Sequence, residues 1–124
     1  MGSTFELRQE YKDEHLSLDF GQRAAYLDSQ RLRLTRKEYD LLALLVDHAG
    51  EIIPREELLL QVWDYSTGVR TRTLDVHIRR LRKKLGAYAA RYIETIFGIG
   101  YRFQPFSSPR YHPRSEESAL ALGA

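Results

Sequence analysis

The stretch RTRTLDVHIRRLRKKL, Arg70 to Leu85, decides how this chain is read. Seven Lys or Arg and one His surround four spaced large aliphatics. At 100° per residue, Leu74, Ile78, Leu81 and Leu85 fall in one narrow stripe, the core face of a helix over about 71–85. Opposite lie Arg72, Val76, Arg79 and Lys83, with Thr73 and Arg80 slightly rotated. Arg82 and Asp75 occupy one flank, His77 and Lys84 the other. Like charges three and four apart repel. Asp75 can pair with Arg79 at i+4, which leaves most of the cations without a local partner. Val76, ringed by arginines and a threonine, suits a helix in a DNA major groove. An apolar side chain there meets the thymine methyl, arginine reads guanine through two hydrogen bonds, and neighbouring cations grip phosphates. The plainer alternative is a solvated helix face with one exposed aliphatic.

Outward from this helix, the charge is unevenly spread. The net charge of the 124 residues is only +2, but Arg70 to Arg91 holds eight basic side chains against one acid, Asp75. Before Arg70 acids outnumber bases. A concentrated basic face suggests a polyanionic partner. The length fits one domain. No cysteine is present, which excludes disulfides and Cys-based metal sites and fits a reducing, cytoplasmic setting. No long apolar run offers a membrane span, and no leader suggests export.

The first third alternates with period two. FELRQ (5–9), HLSLDF (15–20), RAAYL (23–27) and QRLRL (30–34) predict a small antiparallel sheet covered on one side. Thr35 followed by Glu38 is a capping-box pattern opening a helix that carries Tyr39, Leu42, Leu45 and Val46 and closes at Gly50. EII (51–53) is a strand fragment, and Pro54 starts a second helix with Leu58, Leu59, Val62 and Trp63. Asp64 to Gly68 is a loop by composition. YIETIFGIGYRF (92–103) reads as a hairpin around Gly98 and Gly100. Residues 107–124 read as a flexible tail after a domain of 1–106.

Helix, loop and basic helix make a helix-turn-helix variant, and the hairpin beside it makes a wing along the DNA backbone. The GIG between strands does not open a helix, so it is no dinucleotide site. His15, His48, His77 and His112 lack metal-ligand spacing, and no nucleophile or acid pair suggests an enzyme; no cofactor or metal is expected. The rival is an interaction module whose basic helix binds an acidic partner. That function would bury the apolar stripe in the partner, whereas this domain needs the stripe for its own core.

Three segments carry a family resemblance: LTRKEYDLLALLVDHAGEIIPREELLLQVW, RTRTLDVHIRRLRKKL and IETIFGIGYRF. The chain from Phe5 to about Phe106 resembles the winged-helix effector domain of OmpR/PhoB-type bacterial response regulators. The resemblance implies an α+β winged helix-turn-helix fold with a four-stranded N-terminal sheet, three helices and a C-terminal hairpin wing over about 92–104. It implies base-edge contacts from Arg80 and Arg82, with Thr73 and Val76 in close apolar contact. It places Trp63, Arg72, His77, Arg79, Thr95 and Tyr101 on the phosphate backbone, where Lys83 on the same helix face joins them. Trp63 read from residues alone is equally a core side chain, and His77 a packing residue. The loop Asp64, Tyr65, Ser66, Thr67, Gly68 and Val69 resembles the segment through which relatives touch RNA polymerase.

Phe97 stands at the wing tip where many relatives carry an arginine, so it is either a wedge or a packed side chain. The resemblance further implies tandem DNA half-sites, and an upstream receiver domain and sensor kinase for the full-length protein. With no heptad pattern, the isolated domain is expected to be monomeric.

Overall fold

A computed structural model describes residues 9–64 and 71–106. Its N-terminal sheet has antiparallel order β1-β2-β3-β4, with β1 at Glu10–Lys12, β2 at Leu16–Asp19, β3 at Ala24–Leu27 and β4 at Gln30–Arg31. In β1 and β2 the alternation does what period two requires, burying Tyr11, Leu16 and Leu18 on one face, whereas β3 buries the adjacent Ala24 and Ala25 and the two residues of β4 are exposed. The strand expected over 5–9 lies largely outside the described residues, and the strand pairing with β2 is instead Glu10–Lys12. A single alternating apolar position, Tyr11 between Glu10 and Lys12, gave the sequence reading little to find. The turn from β3 to β4 has Asp28 and Ser29 both at positive φ (50° and 71°), the primed geometry that matches strand twist.

Helix α1 (Arg36–Asp47) starts with the expected capping box. Glu38 N–H donates to Thr35 Oγ1 at 3.2 Å and Thr35 N–H to Glu38 Oε1 at 3.0 Å. The helix ends three residues before Gly50, at the cap His48. Gly50, at φ 88°, turns its N–H away from α1 to Phe103 O at 2.8 Å. The glycine thus joins α1 to the wing sheet rather than capping the helix.

Strand β5 (Ile52–Pro54) leads into α2 (Arg55–Trp63), whose N-cap is Pro54. The Lys37 ammonium reaches back to Val62 O at 2.7 Å, occupying a carbonyl of the last turn of α2. Helix α3 (Thr71–Leu85) buries Leu74, Ile78, Leu81 and Leu85, the stripe read from sequence. Gly86, at φ 60°, releases the chain into a 3₁₀ turn (Gly86–Tyr88) and a one-turn helix α4 (Ala89–Tyr92), neither of which the periodicity indicated.

Strands β6 (Ile93–Ile96) and β7 (Gly100–Phe103) form the hairpin, and β5 pairs with β7 to give a three-stranded sheet of order β5-β7-β6. Gly100, expected at the wing tip, instead opens β7 opposite Pro54. A Cβ there would stand 1.9 Å from the Ile53 carbonyl oxygen, so this close backbone approach admits only glycine.

The four helices and both sheets share one core. Asp13, buried in the β1–β2 turn, ties its rim together. Its carboxylate accepts from Tyr11 OH (2.5 Å), Tyr92 OH (2.6 Å) and the N–H groups of His15, Leu16 and Phe106. Burial and the Asp13 bond push the Tyr92 hydroxyl well above its ordinary value, so it stays a donor.

Candidate nucleic-acid interface

Burial of the Leu74–Leu85 stripe forces the opposite face of α3 outward. Arg72, Asp75, Arg79, Arg80 and Lys83 are exposed there, and Thr73, Val76 and His77 are half-buried. Arg72, Asp75, Val76 and Arg79 line one shallow open depression. Among the described residues, Arg72, Arg79, Arg80 and Lys83 have no ion-pair partner. The other cations of the helix are engaged. Lys84 donates to Glu38 Oε1 at 2.6 Å and Arg33 O at 2.7 Å. Burial penalises the Glu38 carboxylate, but Lys84 and the Thr35 N–H outweigh it and hold the group below the usual range.

Asp75 does not pair with Arg79. Arg55, at the start of α2, takes it at 2.5 Å. The Tyr101 hydroxyl, from β7, donates to the same oxygen at 3.1 Å and receives Arg55 Nη1 at 3.4 Å. Burial lifts this hydroxyl above its ordinary value against the pull of Arg55, and Asp75 lifts it further. Tyr101 is 5% exposed, so the expected phosphate contact falls on a side chain already enclosed and hydrogen-bonded. Arg82 is likewise turned from the outer face. Its Nη2 donates to Ile93 O at 2.8 Å and to Thr95 Oγ1 at 2.7 Å, both on β6.

The wing meets α3 through these contacts and extends past them. A tight turn, closed by Ile99 N–H on Ile96 O at 2.9 Å with Gly98 at φ 80°, leaves Phe97 90% exposed. Phe97 is therefore not packed into the domain. Glu94 and Arg102 pair across the strands at 2.9 Å, which consumes the one cation of the described hairpin.

The family described as transcriptional regulatory protein, C terminal, matches residues 29–103. The chain belongs to this family of OmpR/PhoB-type effector domains. It is 39% identical over 94 residues to the transcriptional regulatory protein SrrA of Staphylococcus aureus, covering 73% of this chain and 39% of SrrA. The chain therefore spans about two fifths of the length of that relative. Response regulator DrrB of Thermotoga maritima, described as an OmpR/PhoB homolog, superposes with TM-score 0.74 at 32% identity, over 83% of this chain and 48% of DrrB. The DNA-binding domain of Klebsiella pneumoniae RstA, solved in complex with the RstA box, gives 0.69 at 33% identity, over 77% of this chain and 96% of that one.

Within this effector domain, Trp63 is half-buried against the core, its ring edge-on to His77 with centroids 4.9 Å apart. His77 Nδ1 donates to Thr73 O at 2.9 Å. A neutral imidazole then leaves Nε2 as an acceptor, so a phosphate contact at His77 requires the imidazolium. Of the expected site residues, the fold gathers Thr73, Val76, Arg72, Arg79, Arg80 and Lys83 on one outer face, with Trp63 and His77 beside it. Of the loop expected from the resemblance to touch RNA polymerase, Asp64 caps α2 in left-handed geometry, and Tyr65 to Val69 lie outside the described residues, as does the tail from 107. Sequence reading missed Arg55, whose partner lies 20 residues away on another helix, beyond any local charge pattern. No described helix is long and apolar enough to cross a membrane.

Proposed function

We propose that this domain binds double-stranded DNA sequence-specifically as the effector part of a transcriptional response regulator. Helix α3 lies in the major groove, and the wing follows the backbone or an adjacent minor groove. One observation carries the reading: four cations, Arg72, Arg79, Arg80 and Lys83, surround Val76 on the exposed face with no partner among the described residues. Unpaired like charges on one face gain most from a polyanion. Arg80 reads a base edge, with Val76 and Thr73 in apolar contact beside it. Arg72, Arg79 and Lys83 grip phosphates, and His77, Trp63 and Thr95 border the backbone.

The proposal extends to partners of the full-length protein: an upstream receiver domain answering to a sensor kinase, and RNA polymerase at the loop from Asp64. Isolated, the domain is monomeric and meets neighbours on tandem half-sites spaced by about one helical turn. Selection of duplexes from a random pool, followed by anisotropy titration, tests the reading. A selected duplex should bind at least about tenfold tighter than a scrambled one. Equal binding to every duplex, with tighter binding to an acidic polypeptide, would replace DNA by a protein partner.

A further inference from the structure

Arg80 and Arg82 are two residues apart on α3, which turns their side chains about 200° from each other. One groove floor cannot be met by both in the same way. Arg80 is exposed, whereas Arg82 is half-buried and faces β6. Its guanidinium makes two short charge-assisted bonds to the wing, one to a main-chain carbonyl (Ile93) and one to the Thr95 hydroxyl. Reaching a base edge would break both and leave the half-buried Thr95 without its donor.

A second clamp holds β7. Arg55 engages Asp75 of α3 and Tyr101 of β7 together, and its N–H donates to Ile99 O at 3.0 Å, next to the wing tip. The guanidinium carbons of Arg55 and Arg82 each stand 5.8 Å from the centroid of the same Tyr101 ring. The buried tyrosine ring is thus approached by two cations from two helices, while the tip with Phe97 is exposed beyond them.

We infer that Arg82 is a positioning residue that fixes the wing against α3, with Arg55 holding the other strand of the wing through Asp75 and Tyr101. The inference rests on the DNA-binding reading for its consequence, which is specificity divided between two parts. Arg80 sets which base pairs α3 prefers, and Arg82 sets whether the wing tip reaches the DNA at all.

The test compares Arg82→Ala, Arg80→Ala and Thr95→Val on a selected duplex and its single-base-pair variants, each alone and with Phe97→Ala. Arg80→Ala should flatten the preference at one or two base pairs. Arg82→Ala should weaken binding roughly tenfold for all variants alike, as expected for loss of a charge-assisted bond. Thr95→Val should weaken it less, in the same uniform way. The loss caused by Phe97→Ala in the unaltered domain should nearly vanish in the Arg82→Ala background, because the tip is then no longer held in place.

Amide hydrogen exchange of the free domain supplies the DNA-independent readout. Wing amides from Thr95 to Ile99 should exchange faster in Arg82→Ala, while α1 amides keep their rates. Flattening of a base preference by Arg82→Ala, an undiminished Phe97→Ala loss, or unchanged wing exchange would overturn the inference. If the unaltered domain prefers no duplex, the DNA-binding reading falls, and the exchange rates alone decide whether Arg82 holds the wing.

Discussion

The β1–β2 turn and the outer face of α3 are both dense in polar groups, and they are opposites. At the turn, five donors converge on the Asp13 carboxylate, and it is buried. On α3, four exposed cations share a face and have no ion-pair partner among the described residues, the carboxylate beside them, Asp75, being held by Arg55. A saturated cluster has nothing left to offer a partner and acts on stability. An open cluster of one sign costs stability slightly and gains only when something outside supplies the counter-charge. The same division runs through α3 itself, where Arg82 and Lys84 are spent on the fold and Arg72, Arg79, Arg80 and Lys83 are not.

The largest effect should come from the saturated side. Asp13→Ala removes the carboxylate that five buried or half-buried donors share, the Tyr11 and Tyr92 hydroxyls among them, and should cost about 3–5 kcal/mol of stability in denaturant unfolding. Duplex affinity per folded molecule should barely change; a comparable loss of affinity would erase the contrast. Next comes Arg80→Ala, which should cost about 1–3 kcal/mol of duplex binding and relax preference at one or two base pairs. Its melting temperature should stay put.

Arg72→Ala or Arg79→Ala should weaken every duplex similarly and lower the salt slope by about one. If they instead change base preference, the division of readers and phosphate grippers on α3 is wrong. Glu38 gives a smaller effect, with a definite sign. Its folded pKa lies below the ordinary 4.5, so the stability it adds is present above that value and lost as pH falls through the folded one. On the order of 1 kcal/mol should disappear on acidification in the unaltered domain and not in Glu38→Gln. The smallest is Phe97→Ala, which should lower affinity a few-fold without moving the salt slope, because the tip carries no charge. Phe97→Arg should gain most where an A·T-rich, narrow minor groove flanks the site.

Much of this is legible in the sequence. The 3.6-residue period of Leu74, Ile78, Leu81 and Leu85 gave the core face of α3 and hence its outer face. The Thr35–Glu38 spacing gave the start of α1. Of the N-terminal strands, β2 followed from alternation and β3 from the turn residues before it, whereas the run expected over 30–34 is a strand only at Gln30–Arg31; the hairpin followed from its paired aromatic and β-branched runs. What escaped was non-local. The pairing of β5 with β7, the approach that demands Gly100, and the Arg55–Asp75 ion pair all join segments far apart in sequence. Periodicity sees one element at a time, so it offered Asp75 the i+4 partner Arg79 and could not see Arg55. For the same reason a helical wheel could place Arg82 on a flank without showing that β6 waits there.

The central claim is that the cations of α3 with no partner among the described residues exist to meet phosphates. A salt titration of the unaltered domain on a selected duplex tests it most directly. With about five or six phosphates engaged, log affinity against log salt should fall with a slope of about −4 to −6. A nearly flat line would contradict the account and return the open face of α3 to a different partner.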